Sequence, residues 1–249
     1  MGRADMRPYV IGLTGSIGCG KSHIRETLEE LGAEGVDADL VAHEVMAPGG
    51  AAYERVLDAF GRDLLTAGGL IDRRKLGGQV FSDPEALARL EHIVHPAVAD
   101  AIRGRVAAST APAFVIEAIK LIEAGISATL CDEIWVATCS EEEQLARLHA
   151  TRGMSAEEVR RRRLNQMPEA QMIAAAHRVV PTDGSLVETE LLVLRAWLAL
   201  GLPLPRASVV AAEPNRLLIR IDEDAAVAEG FYRRLGFRRR RDRVFGRRI

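Results

Sequence analysis

The sequence predicts an α/β protein in which an open parallel sheet is flanked by helices. Three observations predict it. Short apolar runs bounded by turn residues recur at Tyr9–Thr14, around Gly35-Val36, and at Ala113–Glu117, Glu133–Ala137 and Arg178–Val180; such runs suit strands buried on both faces. Stretches with helical spacing separate them, and strand–helix alternation builds a parallel sheet through right-handed crossovers. The first strand also runs into a glycine-rich turn, Gly15-Ser16-Ile17-Gly18-Cys19-Gly20-Lys21-Ser22, from which the first helix starts.

Along the chain, Ile24, Leu28 and Leu31 recur at helical spacing after that turn, and Gly32 is the stop signal. Residues 40–110 have helical periodicity and no convincing strand. They read as an insertion over the carboxyl ends of the strands, where open α/β sheets hold ligands. Residues 140–176 add more helix, with Arg152 and Arg160 to Arg163 close together, and Gly201-Leu-Pro-Leu-Pro205 marks a boundary. The expected organisation is a unit over 1–203, with a helical segment at 147–176 able to close over the site, and a small basic appendage over 204–249.

Composition narrows the function. With 249 residues, 48% hydrophobic and 27% charged, the chain can bury a sizeable core. No apolar run approaches the roughly 18 residues that span a bilayer, and the first residues lack a secretory segment, so a cytoplasmic protein without membrane partners is expected. Cys19, Cys131 and Cys139 lack metal-ligand spacing and read as reduced thiols. The net charge of −2 hides a division: residues 1–205 carry 21 basic and 29 acidic side chains, residues 206–249 carry 12 and 6. An acidic body argues against nucleic acid as the substrate, because duplex binding needs a basic face.

Gly15-x4-Gly20-Lys21-Ser22 matches the phosphate-loop pattern in every fixed position and in its strand-to-helix context. Glycines let backbone N–H groups turn inward on phosphate oxygens, and the helix N-terminus adds a favourable partial charge. Lys21 is expected at the β- and γ-phosphates of ATP and the Ser22 hydroxyl on Mg²⁺. The nucleotide-binding set is therefore Gly15, Ser16, Ile17, Gly18, Cys19, Gly20, Lys21, Ser22 and His23. No NKxD-like guanine-reading segment and no apolar strand ending in Asp-Glu occurs, which leaves switch GTPases and motor ATPases without support. The fold expected is a P-loop NTPase of nucleoside-monophosphate-kinase-like form, with a helical insertion and a lid.

Several segments, in order, give the chain its resemblance to the dephospho-CoA kinase family over residues 8–200. They are Ile11 to Ser22, Val36-Asp-Ala-Asp39 with His43-Glu-Val45, Ile71-Asp-Arg-Arg-Lys-Leu76, Val80-Phe-Ser-Asp-Pro84, Val94-His-Pro96, Cys131-Asp-Glu-Ile-Trp-Val136 and Gln166-Met-Pro168. The resemblance implies transfer of the ATP γ-phosphoryl group to the ribose 3′-hydroxyl of dephospho-CoA, giving CoA and ADP. It implies catalytic roles for Asp39, Lys21, Arg152 and Arg162, with Asp39 as base. It also implies an acceptor site of Asp39, His43, Arg73, Lys75 and His95. By residue type alone, Asp39 fits a proton acceptor and the N-cap of a helix starting near Leu40 equally well. Asp37 reads as structural. The alternatives are a kinase for another small acceptor, or a nucleotide-binding regulatory or RNA-associated protein acting through its basic tail.

The sequence departs from the family pattern at Ser16, Cys19 and His23 in the loop. The third-strand motif is replaced by Glu117-Ala-Ile-Lys-Leu-Ile-Glu123, whose Glu117 keeps an acid able to hold Mg²⁺ through water. Pro181-Thr182 stands where an Asp-Asn pair is usual. In the tail, Leu217–Ile221 reads as a strand, and Ala228–Phe237 resembles the closing motif of GNAT-type acetyltransferases without that family's glycine-rich loop. A strand–helix–strand fragment docked on the body or on another subunit is expected, since about 44 residues struggle to fold alone.

Overall fold

The structure is a computed structural model; it describes residues 7–80, 82–124, 128–204, 207–213, 216–221, 226–241 and 244–248. Phe81 of the Val80–Pro84 segment and Pro205 at the expected boundary lie outside these residues, as do Met1 to Met6.

Five parallel strands form the principal sheet: β1 (Tyr9–Gly15), β2 (Glu34–Asp37), β3 (Ala113–Glu117), β4 (Glu133–Thr138) and β5 (Arg178–Pro181). Their order is β2-β3-β1-β4-β5, so the sheet grows in both directions from β1. The physical reason is written in the alternation. Ile11, Leu13, Ala113 and Val115 enter one apolar cluster, while Val10, Phe114 and Ile116 enter a second. Successive strand residues point to opposite faces, so runs that are apolar throughout need cover on both sides. All five β3 residues are buried.

Helices supply that cover. On one face, α1 (Lys21–Glu30) contributes Ile24 and Leu28, and a later helix, α10 (Leu186–Ala199), contributes Val193, Leu194 and Trp197. On the other lie α2 (Ala38–Val45), α3 (Tyr53–Phe60), α4 (Arg73–Val80) and α5 (Pro84–Ala108), the expected insertion, whose only extended pairing among the described residues is the single bridge Leu65–Ile71. Asp83 caps α5 and Pro84 opens it, where a missing N–H costs nothing. After β3 comes the short α6 (Leu121–Ala124). Between β4 and β5, α7 (Glu141–Arg152), α8 (Ala156–Leu164) and α9 (Glu169–Ala175) build the arginine-bearing segment.

Register places the chemistry. Asp37 stands opposite Glu117 across the β2–β3 pair, Leu13 opposite Glu117 across β1–β3, and Gly15 opposite Ala137 across β1–β4. The loop after β1 and the acids ending β2 and β3 therefore share the carboxyl edge of the sheet.

A second, antiparallel sheet has the order β6-β7-β9-β8, with β6 (Ala207–Glu213), β7 (Arg216–Ile221), β8 (Arg238–Arg241) and β9 (Val244–Arg248). The helix α11 (Ala226–Arg234) sits between β7 and β8 in sequence, so the expected strand–helix–strand is present within a larger sheet. Its Ile219, Phe231, Tyr232 and Phe245 belong to the same apolar cluster as Leu28, Leu31 and Trp197. Arg234 Nη2 also donates to Glu30 Oε2 of α1 at 2.6 Å. The tail thus docks on the body, which follows from its size: a core shared with α1 and α10 replaces one it is too small to build.

Candidate active site

A cavity of about 420 Å³ opens at the carboxyl edge of the principal sheet, between the loop after β1, the end of β3, the start of α2 and one face of α7. The loop leaves β1 through Gly15, whose φ of 142° and contact with β4 admit no side chain: a Cβ there would meet the Ala137 carbonyl oxygen at 2.3 Å. It enters α1 through Gly20, left-handed at φ 73°. Side chains from distant elements hold the loop backbone. Gln144 Nε2 donates to the Ile17 carbonyl, Gln166 Oε1 accepts from the Ile17 N–H at 3.3 Å, and Thr182 Oγ1 donates to the Cys19 carbonyl at 3.3 Å.

Lys21 is 7% exposed, and its Nζ donates to the carbonyls of Gly15 (2.8 Å) and Ser16 (3.0 Å). Burial pushes its pKa down, opposed chiefly by the charge of Glu117. Beside it the Ser22 hydroxyl donates to Glu117 Oε1 at 3.0 Å, and Glu117 Oε2 accepts from Arg25 Nε at 2.9 Å. A carboxylate that is 6% exposed needs such partners, and Arg25 supplies both charge and a donor.

Asp39 lies in the first turn of α2. It does not cap the helix: Asp37 does, its Oδ1 accepting from the N–H groups of Asp39 at 2.8 Å and Leu40 at 3.4 Å. That releases the Asp39 carboxylate for the cavity, which it lines with Lys21 and Ser22. Water reaches the side chain across the cavity mouth, but protein surrounds it at longer range. This partial burial raises its pKa above the ordinary aspartate value, and the Asp37 charge raises it further, against the pull of Lys21 and His43.

From α7, Arg147, Leu148, Thr151 and Arg152, which share one face of the helix, also line the cavity. Arg147 is anchored, its Nε donating to Glu143 at 2.8 Å and its Nη1 to Thr182 Oγ1 at 3.0 Å. One lysine and two arginines in a cavity that also holds carboxylates can bind polyphosphate and take a proton from an acceptor hydroxyl.

The dephospho-CoA kinase family's sequence model matches residues 9–188, well over half of the 249. The chain belongs to the dephospho-CoA kinase family. It is 41% identical over 194 residues to the dephospho-CoA kinase of Carboxydothermus hydrogenoformans, covering 76% of this chain and 94% of that one. To the dephospho-CoA kinase of Geobacter metallireducens it is 42% identical over 191 residues, with 76% and 94% covered. A solved structure from Thermus thermophilus superposes with a TM-score of 0.69 at 34% identity, covering 78% of this chain and 98% of the other. The dephospho-CoA kinase from Campylobacter jejuni superposes with a TM-score of 0.58 at 25% identity, covering 77% and 96%. The family match covers no part of Ala228–Phe237, and the acetyltransferase-like reading of that segment gains no support.

Within this family frame, the sequence-predicted residues divide. Ile17, Gly18, Gly20, Lys21, Ser22 and His23 line the cavity, as do Asp39, Glu117 and Arg152. Cys19 does not line it; its side chain is buried against Cys139. Arg162 lies on α8, half exposed and bonded to Glu158 at 2.9 Å, outside the cavity lining. Lys75 donates to the Asp63 carbonyl at 2.8 Å, Arg73 is exposed at the start of α4, and His95 is half-buried within α5 just before its internal Pro96. His43 sits one turn beyond Asp39 on α2, close enough for its charge to pull the Asp39 pKa down. Sequence reading pairs Arg147 with Arg152 at the entrance to the 147–176 segment, and both line the cavity. It missed Gln144 and Thr182 as supports of the loop, and nothing local marks them, since their roles arise from contacts 127 and 163 residues apart.

Among the described residues no helix is long and apolar enough to cross a membrane.

Proposed function

We propose that the protein transfers the γ-phosphoryl group of ATP to the ribose 3′-hydroxyl of dephospho-CoA. The observation that carries this reading is the freeing of Asp39 by the Asp37 cap, which puts a carboxylate of raised pKa in one cavity with Lys21 and the phosphate loop. In this reading the loop N–H groups and Lys21 hold the β- and γ-phosphates, Lys21 exchanging its two carbonyl partners for phosphate oxygens. Asp39 orients the acceptor hydroxyl and takes its proton; a raised pKa makes it a better base than an aspartate of ordinary pKa. Arg152 faces the charge that gathers on the equatorial oxygens of the transferring group.

Ser22 Oγ and Glu117 Oε1, 3.0 Å apart, form an oxygen-only pair of the kind Mg²⁺ prefers, and these two residues would hold the ion, Glu117 through water. When bound, Mg²⁺ neutralises phosphate charge. His43, Arg73, Lys75, His95 and Arg162 are read as acceptor or lid groups that reach the substrate on closure of the segment 147–176, since a lid arginine acts once the site is enclosed. Residues 1–203 form the kinase unit in this reading and 204–249 an appendage, because among the described residues none of the second sheet lines the cavity. A cytoplasmic setting fits a substrate and cosubstrate of this kind.

Incubation with ATP, Mg²⁺ and dephospho-CoA, followed by mass spectrometry, is expected to show CoA and ADP in equal amounts. Folded, ATP-binding protein that yields ADP without CoA, or neither, overturns the proposal.

A further inference from the structure

Cys19 lies in the middle of the phosphate loop, and Cys139 immediately follows β4. Both are buried, at 1% and 9% exposure, and their sulfurs stand 2.8 Å apart. That separation is inside the distance at which two unbonded sulfurs rest in simple contact, and it is only about 0.8 Å longer than a disulfide bond. They stand 120 positions apart in the chain, so nothing local brings them together; the parallel β1–β4 pairing does, by setting Gly15 opposite Ala137. The third cysteine, Cys131, packs in the other apolar cluster, and burial pushes its thiol up to about 12. The Cys19 thiol moves the opposite way: its contact with Cys139 and then the Lys21 charge lower it, against the raising effect of burial.

We propose that Cys19 and Cys139 are a modification site: a dithiol that a hydroperoxide converts to a disulfide, fixing the phosphate loop to the sheet and slowing phosphoryl transfer. The Cys19 thiolate attacks one peroxide oxygen, the O–O bond breaks, and the other oxygen leaves as water after taking a proton. The resulting Cys19 sulfenic acid is attacked by the Cys139 sulfur, an S–S bond forms, and the sulfenic oxygen leaves as a second water. In sum, two thiols and one hydrogen peroxide give one disulfide and two waters. A thiol reductant reverses the bond by exchange.

The loop geometry gives the direction of the effect. Gly18 and Gly20, which flank Cys19, line the cavity, and Lys21 follows one residue later. Drawing the Cys19 sulfur about 0.8 Å toward β4 shifts that cradle relative to the phosphates, and a displacement of this order is expected to lower turnover about ten-fold.

The test uses the full chain, treated with hydrogen peroxide and then digested without reduction. The expected result is a Cys19–Cys139 linked peptide pair, two hydrogens lighter than the sum of the two thiol peptides, with Cys131 still alkylatable. Turnover should fall about ten-fold and return on adding dithiothreitol. Cys139→Ala, which changes no residue of the cavity lining, should keep its turnover and lose its reversible sensitivity. Absence of the linked pair overturns the site itself, whatever the activity. A linked pair with unchanged turnover overturns the effect on catalysis, and because only that arm rests on the kinase reading, failure of the reading is told apart by the untreated protein making no CoA. If Cys139→Ala fails to fold, the dithiothreitol arm on the unaltered chain decides alone: inactivation that reductant does not reverse refutes the proposal.

Discussion

Two aspartates two residues apart have different roles in this structure, and substituting each separately tests the assignment. Asp39→Asn keeps the size of the side chain and removes its ability to take a proton. General-base catalysis contributes about 10²- to 10⁴-fold, so kcat should fall by that factor, equivalent to about 2.7–5.5 kcal/mol of barrier. ATP affinity should persist, since the loop and Lys21 are untouched. Burial and the Asp37 charge raise the Asp39 pKa, so the folded state binds its proton more tightly than the unfolded state. Stability then falls as pH rises from the ordinary aspartate value through the raised one, and the ionised group is a cost at neutral pH. Asp39→Asn removes that cost and should melt no lower than the parent. Asp37→Ala instead removes the acceptor for the N–H groups of Asp39 and Leu40. Loss of such a cap costs about 1 kcal/mol, or a melting temperature about 2–4 °C lower for a chain of this size. Asp37→Asn keeps a capping oxygen and removes the charge, so it should spare stability and move the acid limb of kcat/KM to lower pH, the direction in which Asp39 is relieved. Coupled ADP assays across pH, ATP binding by calorimetry and thermal melts read all three variants. Near-parent turnover in Asp39→Asn, or an acid limb that Asp37→Asn leaves in place, would refute the reasoning.

Two further outcomes are expected. Arg152→Ala should lower kcat by about 10- to 100-fold in steady-state assays with ATP binding retained, because the proposed function sets this cavity-lining charge against the transferring group; Arg162→Ala, outside the cavity lining, should act only once acceptor is bound, and equal effects on the acceptor-free ATPase rate would contradict the assignment. Phe245→Ala, in the core shared by the two sheets, should cost about 3–5 kcal/mol and lower a single melting transition of the whole chain, whereas a separate early transition with an unshifted main one would mean that the tail folds by itself.

The inner strands of the principal sheet were legible because a strand buried on both faces is chiefly apolar, and β1, β3 and β4 fall where the apolar runs lie, whereas the edge strands β2 and β5 bury one residue each. The phosphate loop was legible for a similar reason: its glycines answer a local backbone requirement, as at Gly15, where no Cβ fits beside Ala137. The tail was less so. Its Leu217–Ile221 strand reads clearly, but the antiparallel sheet around it depends on pairing with strands whose sequences, such as Arg238–Arg241, carry no apolar alternation.

By itself the sequence determined the inner strands and the nucleotide loop and offered Asp37 and Asp39 as candidate acids, because each is encoded in residues adjacent in the chain. Both Asp37 and Asp39 line the cavity, and only the tertiary structure decided which of them caps α2 and which keeps its carboxylate off the helix N–H groups, since an aspartate suits both roles. It alone brought Gln144 and Thr182 to the loop, paired Glu117 with Arg25 and set Cys19 against Cys139. Those contacts join residues some 90 to 160 positions apart and are fixed by strand order and register, which local spacing does not encode.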